Sequence, residues 1–466
     1  MTHYVADLVA PLDALLLKGD ADPSTRAIMN AALVLSSEPD NNVLGEAFER
    51  AARAVPRMRQ RVVDDGLNWG RATWVPDDAF DVMGHVRHVG APGDSSISAV
   101  LAMASSFATA PFDAAKPLWD ATLVTGVEGG RAVLLMRVHH AIADGVRVLH
   151  MMANLLDLEP HPSRDELPAL EQRGAGIRAV GERWMRTTSQ VMVTRRQRAD
   201  SFARLMLEGS LHPRESISGA ARYSRSILRT YAGRGVDPSP ILRSRSRGRR
   251  FAVLEFPLAE IREVGKAHSA TVNDVFMTGL LGGLRTYQER MGGPVVDLPI
   301  AFPIIVAVDT SHDSGNHFSA GVIPGPCSVQ DPVERLQAVH GFVAARRAEP
   351  GVDAPLRLAP LLHQVPSRFA TSALKAYARR EDLQASNIIG PEFAVFLAGA
   401  QVERFYAFGP LPGIPLMAVL VSYEGTCTVG FTIDPAAVAD VELLLACTLE
   451  AFSELGVNAV GPASQE

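Results

Sequence analysis

Residues 119–145 read WDATLVTGVEGGRAVLLMRVHHAIADG, and the order of elements in this stretch decides the fold class. Residues 122–127 and 132–138 are apolar runs separated by Glu128-Gly129-Gly130, a spacing that predicts two strands joined as a hairpin. After a loop at 139–145, residues 146–158 set Val148, Leu149, Met152, Leu155 and Leu156 on one helical stripe. The order is strand, polar loop, helix, the signature of a mixed α/β unit. The loop itself is His139-His140-Ala141-Ile142-Ala143-Asp144-Gly145.

Side chains alternate along an extended chain, so adjacent imidazoles at a strand end point different ways. One can face a cleft while its neighbour packs inside. A neutral imidazole has an ordinary pKa of about 6.5, which suits it to take a proton from a hydroxyl at neutral pH. Asp144, four residues after His140, is placed to hold the local geometry or to pair with a distant arginine. Gly145 permits a backbone conformation closed to bulkier residues. Two other readings stand beside this one. A buried histidine is often only structural, and His-His-x-x-x-Asp offers metal ligands. No HExxH pattern or clustered third ligand accompanies it, so no metal is expected.

Working outward, residues 1–160 read as one α/β unit, with a helix at 42–55 and a shorter one at 100–108. Alternation resumes at Phe251. A helix is predicted at 258–268, then Thr271-Val272-Asn273-Asp274 leads into a small-residue helix at 275–290. A buried strand at 298–306, helices at 332–347 and 366–380, a hairpin of 415–423 with 427–433 and a last helix at 438–455 complete the second unit. The two units, 1–160 and 251–466, are similar in class. Between them, 161–250 carries 19 arginines and no lysine against 8 acidic residues, a net +11, within a chain whose total is −6. Helical pieces at 176–196 and 199–208 mark it as a crossover. It closes on Arg243, Arg245, Arg247, Arg249 and Arg250.

The chain has 466 residues, 47% hydrophobic and 21% charged, which fits a globular protein of two or three domains or one large two-part fold. Cys327, Cys427 and Cys447 are too few and too scattered for a disulfide framework and show no CxxC spacing. A reducing, cytoplasmic compartment is therefore expected. No 18-residue apolar run occurs, since 393–400 and 411–421 are short or broken by Gly and Pro, and no spanning helix is expected. Asp7, Asp13 and Asp20 in the first twenty residues argue against a secretory leader.

HHAIADG resembles the His-His-x-x-x-Asp-Gly signature of the CoA-dependent acyltransferase superfamily, which also includes peptide condensation domains. The ordered set of surrounding motifs resembles the bacterial wax ester synthase/diacylglycerol acyltransferase family over nearly the whole chain. These are Val55-Pro56-Arg57-Met58-Arg59-Gln60-Arg61, Phe80-Asp81 with His85-Val86-Arg87, and Lys116-Pro117-Leu118-Trp119-Asp120. Asn273-Asp274, Gly315-Asn316, Ser386-Asn387 with Gly390-Pro391, and Ser422-Tyr423 followed by Asp434 continue the series.

The resemblance implies an α/β fold with mixed sheets: two similar chloramphenicol-acetyltransferase-like halves joined by a helical crossover, with a substrate channel between them. It implies His140 as general base, His139 as its support, direct attack of an alcohol on the acyl-CoA thioester, and no acyl-enzyme. Acyl-CoA is then a co-substrate and no cofactor is required. The acceptor is diacylglycerol, giving triacylglycerol, with long-chain alcohols giving wax esters as a second activity. Asp144 is expected to turn away and pair with an arginine. Asn273 is either an oxyanion donor, a brace or a helix N-cap. Asp274 is a brace, and Trp119 and Pro117 are packing residues at the interface.

Two alternatives remain: an enzyme of the same fold with a carrier-bound acyl donor, and a weakly active lipid-binding relative. Asn387-Ile388-Ile389-Gly390-Pro391 lacks the family's turn proline. The run Ile304-Ile305-Val306-Ala307-Val308-Asp309 lacks its polar and basic residues. Both departures bear on acceptor preference. The basic crossover reads as a solvated face, or as an attraction to anionic headgroups at the inner membrane or a lipid droplet. Without a recognition motif, nucleic acid is not expected as a partner.

Overall fold

The structure, a computed structural model, describes residues 7–63, 72–143, 145–162, 222, 225–226, 236–305, 318–354 and 367–460. Asp144, most of the 161–250 crossover, the 306–309 run and Gly315-Asn316 lie outside the described residues.

The first half contributes β1 (Asp7–Leu8), β2 (Ile28–Leu35), β3 (Gln60–Val63), β4 (Thr73–Pro76), β5 (Val86–Gly90), β6 (Trp119–Val127) and β7 (Arg131–His139). Its helices are α1 (Pro11–Gly19), α2 (Asn41–Ala54), α3 (Ile97–Phe107) and α4 (Gly145–Leu155). The second half contributes β8 (Arg250–Pro257), β9 (Leu298–Ile305), β10 (Phe318–Gly325), β11 (Leu383–Ile389), β12 (Phe396–Leu397), β13 (Ala400–Phe408), β14 (Leu416–Tyr423) and β15 (Thr426–Ile433). Its helices are α5 (Leu258–Ala267), α6 (Val272–Arg290), α7 (Pro332–Arg347), α8 (Ser367–Ala378) and α9 (Val441–Glu454).

Two six-stranded sheets, in the orders β12-β13-β2-β7-β6-β5 and β10-β9-β11-β14-β15-β8, form the frame, with a small sheet β1-β4-β3 beside the first. The two halves share a motif. The runs β2-β7-β6-β5 and β8-β15-β14-β11 are each paired antiparallel, antiparallel, parallel. In each, the central hairpin is followed by a loop and a helix, α4 or α9. Strand β14 is buried at every position, because both faces of its sheet are covered. Its near-continuous apolar sequence follows from that.

Local chemistry sets the helix ends. Asp40 caps α2 by accepting from Asn42 and Val43, and the helix buries Leu44, Ala47, Phe48, Ala51 and Ala52 on one stripe. Helix α6 presents Gly279 and Gly283 where α9 lies directly on it. A Cβ at Gly279 would stand 2.4 Å from the Phe452 ring, and one at Gly283 2.6 Å from Thr448.

The halves are stitched by strand exchange. Residues 396–408 lie in the 251–466 segment, yet β13 pairs with β2 from Val402↔Leu35 to Phe408↔Asn30 and completes the first sheet. On its other side β13 presses on β15, where a Cβ at Gly430 would stand 2.1 Å from the Ala407 carbonyl oxygen. A shared core then forms from Val133, Leu135, Val100 and Leu101 of the first half and Phe251, Tyr406 and Phe408 of the second. Phe251 and Phe408 stack at 4.1 Å. A cavity of about 10 Å³ lies in this seam beside Asn30, Arg137 and Phe251, room for one water rather than an acyl chain.

The crossover's last turn is less solvated than its composition suggests. Arg245 donates to the Gly413 carbonyl at 2.8 Å and Arg249 to that of Leu411 at 3.1 Å, while Arg250 pairs with Glu442. Arg243 and Arg247 are exposed and make no such hydrogen bond or ion pair with the described residues of the second half. The expectation of a wholly solvated basic face is corrected to that extent. A carbonyl oxygen has two lone pairs, so the Leu411 oxygen accepts from Arg249 as well as from the Gly413 N–H.

Asp382, just before β11, is fully buried. Its Oδ2 accepts the Ser239 N–H at 2.6 Å, and Oδ1 has no hydrogen-bond partner among the described residues. Burial pushes its carboxyl up to about 7, against the Ser239 hydrogen bond and the charges of Arg245 and Arg243. The folded chain therefore binds more protons than the unfolded one between the ordinary carboxylate pKa of about 3.9 and this value. The contribution to stability is full below that window and is lost as pH rises through about 7. Asp382→Asn, which keeps an acceptor for Ser239, is expected to raise the melting temperature by clearly more at pH 8 than at pH 5, as read by thermal denaturation at both pH values.

Candidate active site

The histidine pair closes β7. Register places His139 opposite Ile28 and Val138 opposite Trp119. The His139 N–H donates to the Leu118 carbonyl at 2.9 Å, and the His140 N–H donates to that of Ala27 at 2.8 Å. Successive amides therefore bond to opposite neighbours, and the two rings diverge. His139 is wholly buried, while His140 is half-buried. Gly145 opens α4. Asp144, expected to support the loop, lies outside the described residues.

Both ring nitrogens of His139 are engaged. Nδ1 accepts the Ala141 N–H at 3.1 Å, so the ring proton sits on Nε2, which lies 3.2 Å from Asp20 Oδ1. Asp20 is the residue that sequence reading missed as a site component. It entered only as a charge arguing against a leader, and no local pattern links it to a histidine 119 positions away.

Behind the loop the N-terminal motifs converge on one aromatic stack. Trp119 lies between Phe48 at 5.5 Å and His85 at 4.6 Å, and its Nε1 donates to the Met58 carbonyl at 2.8 Å. His85 Nδ1 donates in turn to the Trp119 carbonyl at 2.8 Å, and burial pushes its pKa below the usual histidine value. Phe80 packs on His85, while Arg57 covers Trp74 at 4.5 Å. Trp119 thus packs inside the first half, not at the interface between halves as expected. Its ring is on the face of β6 turned to α2 rather than to the second half.

Two residues before His139, Arg137 forms a buried ion pair with Asp120, its register partner. Its Nε donates to Asp120 Oδ1 at 2.9 Å. Its Nη1 donates to the carbonyls of Phe107 and Ala110 at 2.7 and 2.9 Å, closing the end of α3. Phe112 covers the guanidinium at 4.9 Å. This pair ties the end of the hairpin to α3 beneath the histidine loop.

The second-half candidates stand on another element. Asn273 and Asp274 lie in the first turn of α6. The N-cap is Thr271, not Asn273, because the helix begins three residues earlier than the apolar spacing predicts. Asp274 closes a capping box: its Oδ2 accepts from the Thr271 N–H at 2.9 Å and hydroxyl at 2.8 Å, and His340 Nδ1 stands 2.9 Å from the same oxygen. Asn273 Nδ2 is directed at Met277 Sδ, 3.3 Å away. Asp434 accepts from Ser246, and the Tyr423 hydroxyl bonds the Val402 carbonyl at 2.8 Å, anchoring β13. Gly390 is held against Ser422, whose carbonyl oxygen would stand 2.4 Å from a Cβ. Ile389, at the family's proline position, is 75% exposed.

Asp120→Ala would leave the Arg137 guanidinium buried without its counter-charge. A loss of about 3–5 kcal/mol in unfolding free energy is expected from chemical denaturation. Asp120→Asn, which keeps one acceptor, should lose less.

Comparison with known proteins agrees with this architecture. Residues 9–276 match the wax ester synthase/diacylglycerol acyltransferase catalytic domain, and residues 314–456 match the C-terminal domain of the same family. A protein of Mycobacterium tuberculosis H37Rv, provisionally named a diacylglycerol O-acyltransferase, is 34% identical over 465 residues, covering 98% of this chain and 94% of the relative. A second from the same strain, similarly named, is 29% identical over 436 residues, 88% and 89% of the two chains. Among solved structures, the wax ester synthase/diacylglycerol acyltransferase from Marinobacter aquaeolei VT8 superposes with a TM-score of 0.63 at 20% identity, covering 96% of this chain and 98% of that one. The first condensation domain of the CDA synthetase superposes at 0.54 with 15% identity, covering 99% and 100%. At these identities the structural likeness concerns the fold, and the sequence matches carry the kinship: the chain belongs to the wax ester synthase/diacylglycerol acyltransferase family.

Proposed function

We propose that the protein transfers a long-chain fatty acyl group from acyl-CoA to a lipid alcohol, with diacylglycerol as the principal acceptor and long-chain alcohols as a second class. The observation that carries the reading is the division of labour between the two histidines. His139 has both nitrogens committed to protein partners, and His140 is the member of the pair that retains partial exposure.

In this mechanism His140 takes the proton of the acceptor hydroxyl as the oxygen attacks the thioester carbonyl. The tetrahedral intermediate collapses with cleavage of the carbon–sulfur bond. The departing CoA sulfur recovers the proton from His140, so ester and free CoA leave with the base restored. No acyl-enzyme is required. Asn273 would donate to the developing oxyanion or brace the loop, and Asp274 holds the turn that carries it.

Release of CoA thiol from palmitoyl-CoA, with diacylglycerol and hexadecanol compared as acceptors and the ester identified, tests the proposal. Acceptor-dependent release should fall by about 10²–10⁴-fold in His140→Ala. Equal release by both proteins would remove His140 as the base. No release from folded wild type would direct attention to a carrier-bound donor or a lipid-binding role.

The acceptor resides in a lipid phase, and among the described residues no helix is long and apolar enough to cross a membrane. We place the protein peripherally on an anionic inner-membrane or lipid-droplet surface, with the exposed Arg243 and Arg247 contributing roughly 1 kcal/mol each. Arg243→Glu with Arg247→Glu should reduce co-sedimentation with vesicles containing phosphatidylglycerol and leave the weaker association with phosphatidylcholine vesicles unchanged. Undiminished binding to anionic vesicles would sink this assignment.

A further inference from the structure

The two halves repeat the same loop, and the repeat shows what His139 does. In the first half the His139 N–H donates to the Leu118 carbonyl, and in the second the Asp434 N–H donates to that of Pro415. Each acceptor immediately precedes the hairpin's first strand. The His139 carbonyl accepts the Ile142 N–H at 2.9 Å, and the Asp434 carbonyl accepts the Ala437 N–H at 3.0 Å, three residues on in both cases. The side chains also correspond. His139 Nδ1 accepts the N–H of Ala141 at 3.1 Å, and Asp434 Oδ1 accepts that of Ala436 at 3.0 Å, two residues on in both. His139 therefore occupies the place of an Asx-turn residue, with an imidazole nitrogen standing where a carboxylate oxygen stands in the other half.

Each loop residue also pins the segment that enters its half's first strand. Asp434 accepts from the Ser246 N–H at 2.7 Å and hydroxyl at 2.6 Å, four residues before β8. His139 reaches Asp20, eight residues before β2. The chemistry of the pin dictates its partner. A carboxylate only accepts, so it needs a donor such as Ser246. An imidazole whose Nδ1 accepts can only donate from Nε2, so it needs an acceptor.

We infer that Asp20 is a positioning residue of the acyl-transfer site: it holds the Nε2 proton of His139, so that His139 shapes the loop and His140 is presented as the base. This rests on the proposed role of His140. The Asp20 turn is itself braced from several sides. Arg26 bonds the Asp20 carbonyl at 3.3 Å and the Thr109 carbonyl at 2.6 Å, and the Thr25 hydroxyl bonds the Gly19 carbonyl at 2.6 Å. Asp22 pairs with Lys375 of α8, whose hydrogen bond holds that carboxyl well below the usual range. The second half thereby buttresses the turn that orients a first-half histidine.

Asp20→Ala and Asp20→Asn separate this role from a general contribution to folding. The asparagine oxygen still accepts from Nε2, whereas alanine offers nothing. The expected result is a fall in kcat of about 10-fold or more for Asp20→Ala, with KM for palmitoyl-CoA within about 2-fold, and recovery of most of kcat in Asp20→Asn. Nitrogen-15 histidine spectra, with His139 assigned by its loss in His139→Gln, should show an Nε2-protonated ring in wild type and Asp20→Asn and a mixture of tautomers in Asp20→Ala. Wild-type kcat in Asp20→Ala, an unaltered His139 tautomer in that variant, or equal losses in both variants would overturn the inference. If Asp20→Ala does not fold, the Asp20→Asn spectrum decides: a retained Nε2 proton supports the role and a lost one overturns it. Because the spectrum does not depend on turnover, absence of acyl transfer by wild type would count against the proposed function and not against this contact.

Discussion

The relation between the two halves depends on β13. This strand belongs by sequence to the second half, completes the first half's sheet through β2, and lies so close over β15 that Gly430 has no room for a side chain. A strand held by main-chain bonds on one sheet and by close packing on the other cannot slide without breaking both. One-residue slippage would also turn each of its side chains to the wrong face. Glu255 of β8 locks the arrangement by accepting from Arg404 at 2.9 Å and from the Tyr406 hydroxyl at 2.6 Å, both on β13. Tyr423 adds a bond to the Val402 carbonyl. The histidine loop inherits this stability, because β7 is β2's other neighbour.

Within that frame, the repeated strand–loop–helix motif separates fold from chemistry. Both loops begin with a residue that accepts the N–H two positions on and pins the chain entering the half. In the second half this residue is an aspartate followed by Pro435. In the first it is a histidine followed by a histidine. The pinned ring and the half-buried ring share one loop, so the rigidity of the first is transmitted to the second through a single peptide unit. The aromatic stack around Trp119 and the Arg137–Asp120 pair support the same loop from behind. This convergence explains why motifs scattered from residue 55 to residue 120 occur together: they are neighbours in one cluster.

Much of the framework was legible in residue spacing. The 122–127 and 132–138 runs became β6 and β7, and the 427–433 run became β15. The helices expected at 42–55 and 332–347 are present as α2 and α7. Other elements were not legible. Strand β2 reads IMNAALVL, an apolar run that fits a helix or a strand until its pairing is known. Strand β13 reads AQVERFYAF, whose charges suggest surface but whose Glu403 and Arg404 pair with Arg131 and Glu255. The start of α6 is not marked by spacing, because its first turn, Val272-Asn273-Asp274, carries few apolar residues and takes its order from the Thr271 cap. The arginines at 243–250 looked like a solvated face because composition reports charge without the carbonyls that receive it.

By itself the sequence determined the class of the protein and the identity of its candidate base. Hydrophobic periodicity, turn residues and the spacing of HHAIADG are local quantities, and an α/β unit with a histidine loop at a strand end follows from them. Tertiary structure alone decided which histidine is committed and to what. That outcome rests on contacts between residues far apart in the chain, Asp20 with His139 across 119 positions and β13 with β2 across several hundred. Such contacts are set by how sheets exchange strands and pack, and the short-range preferences of neighbouring residues carry no record of them.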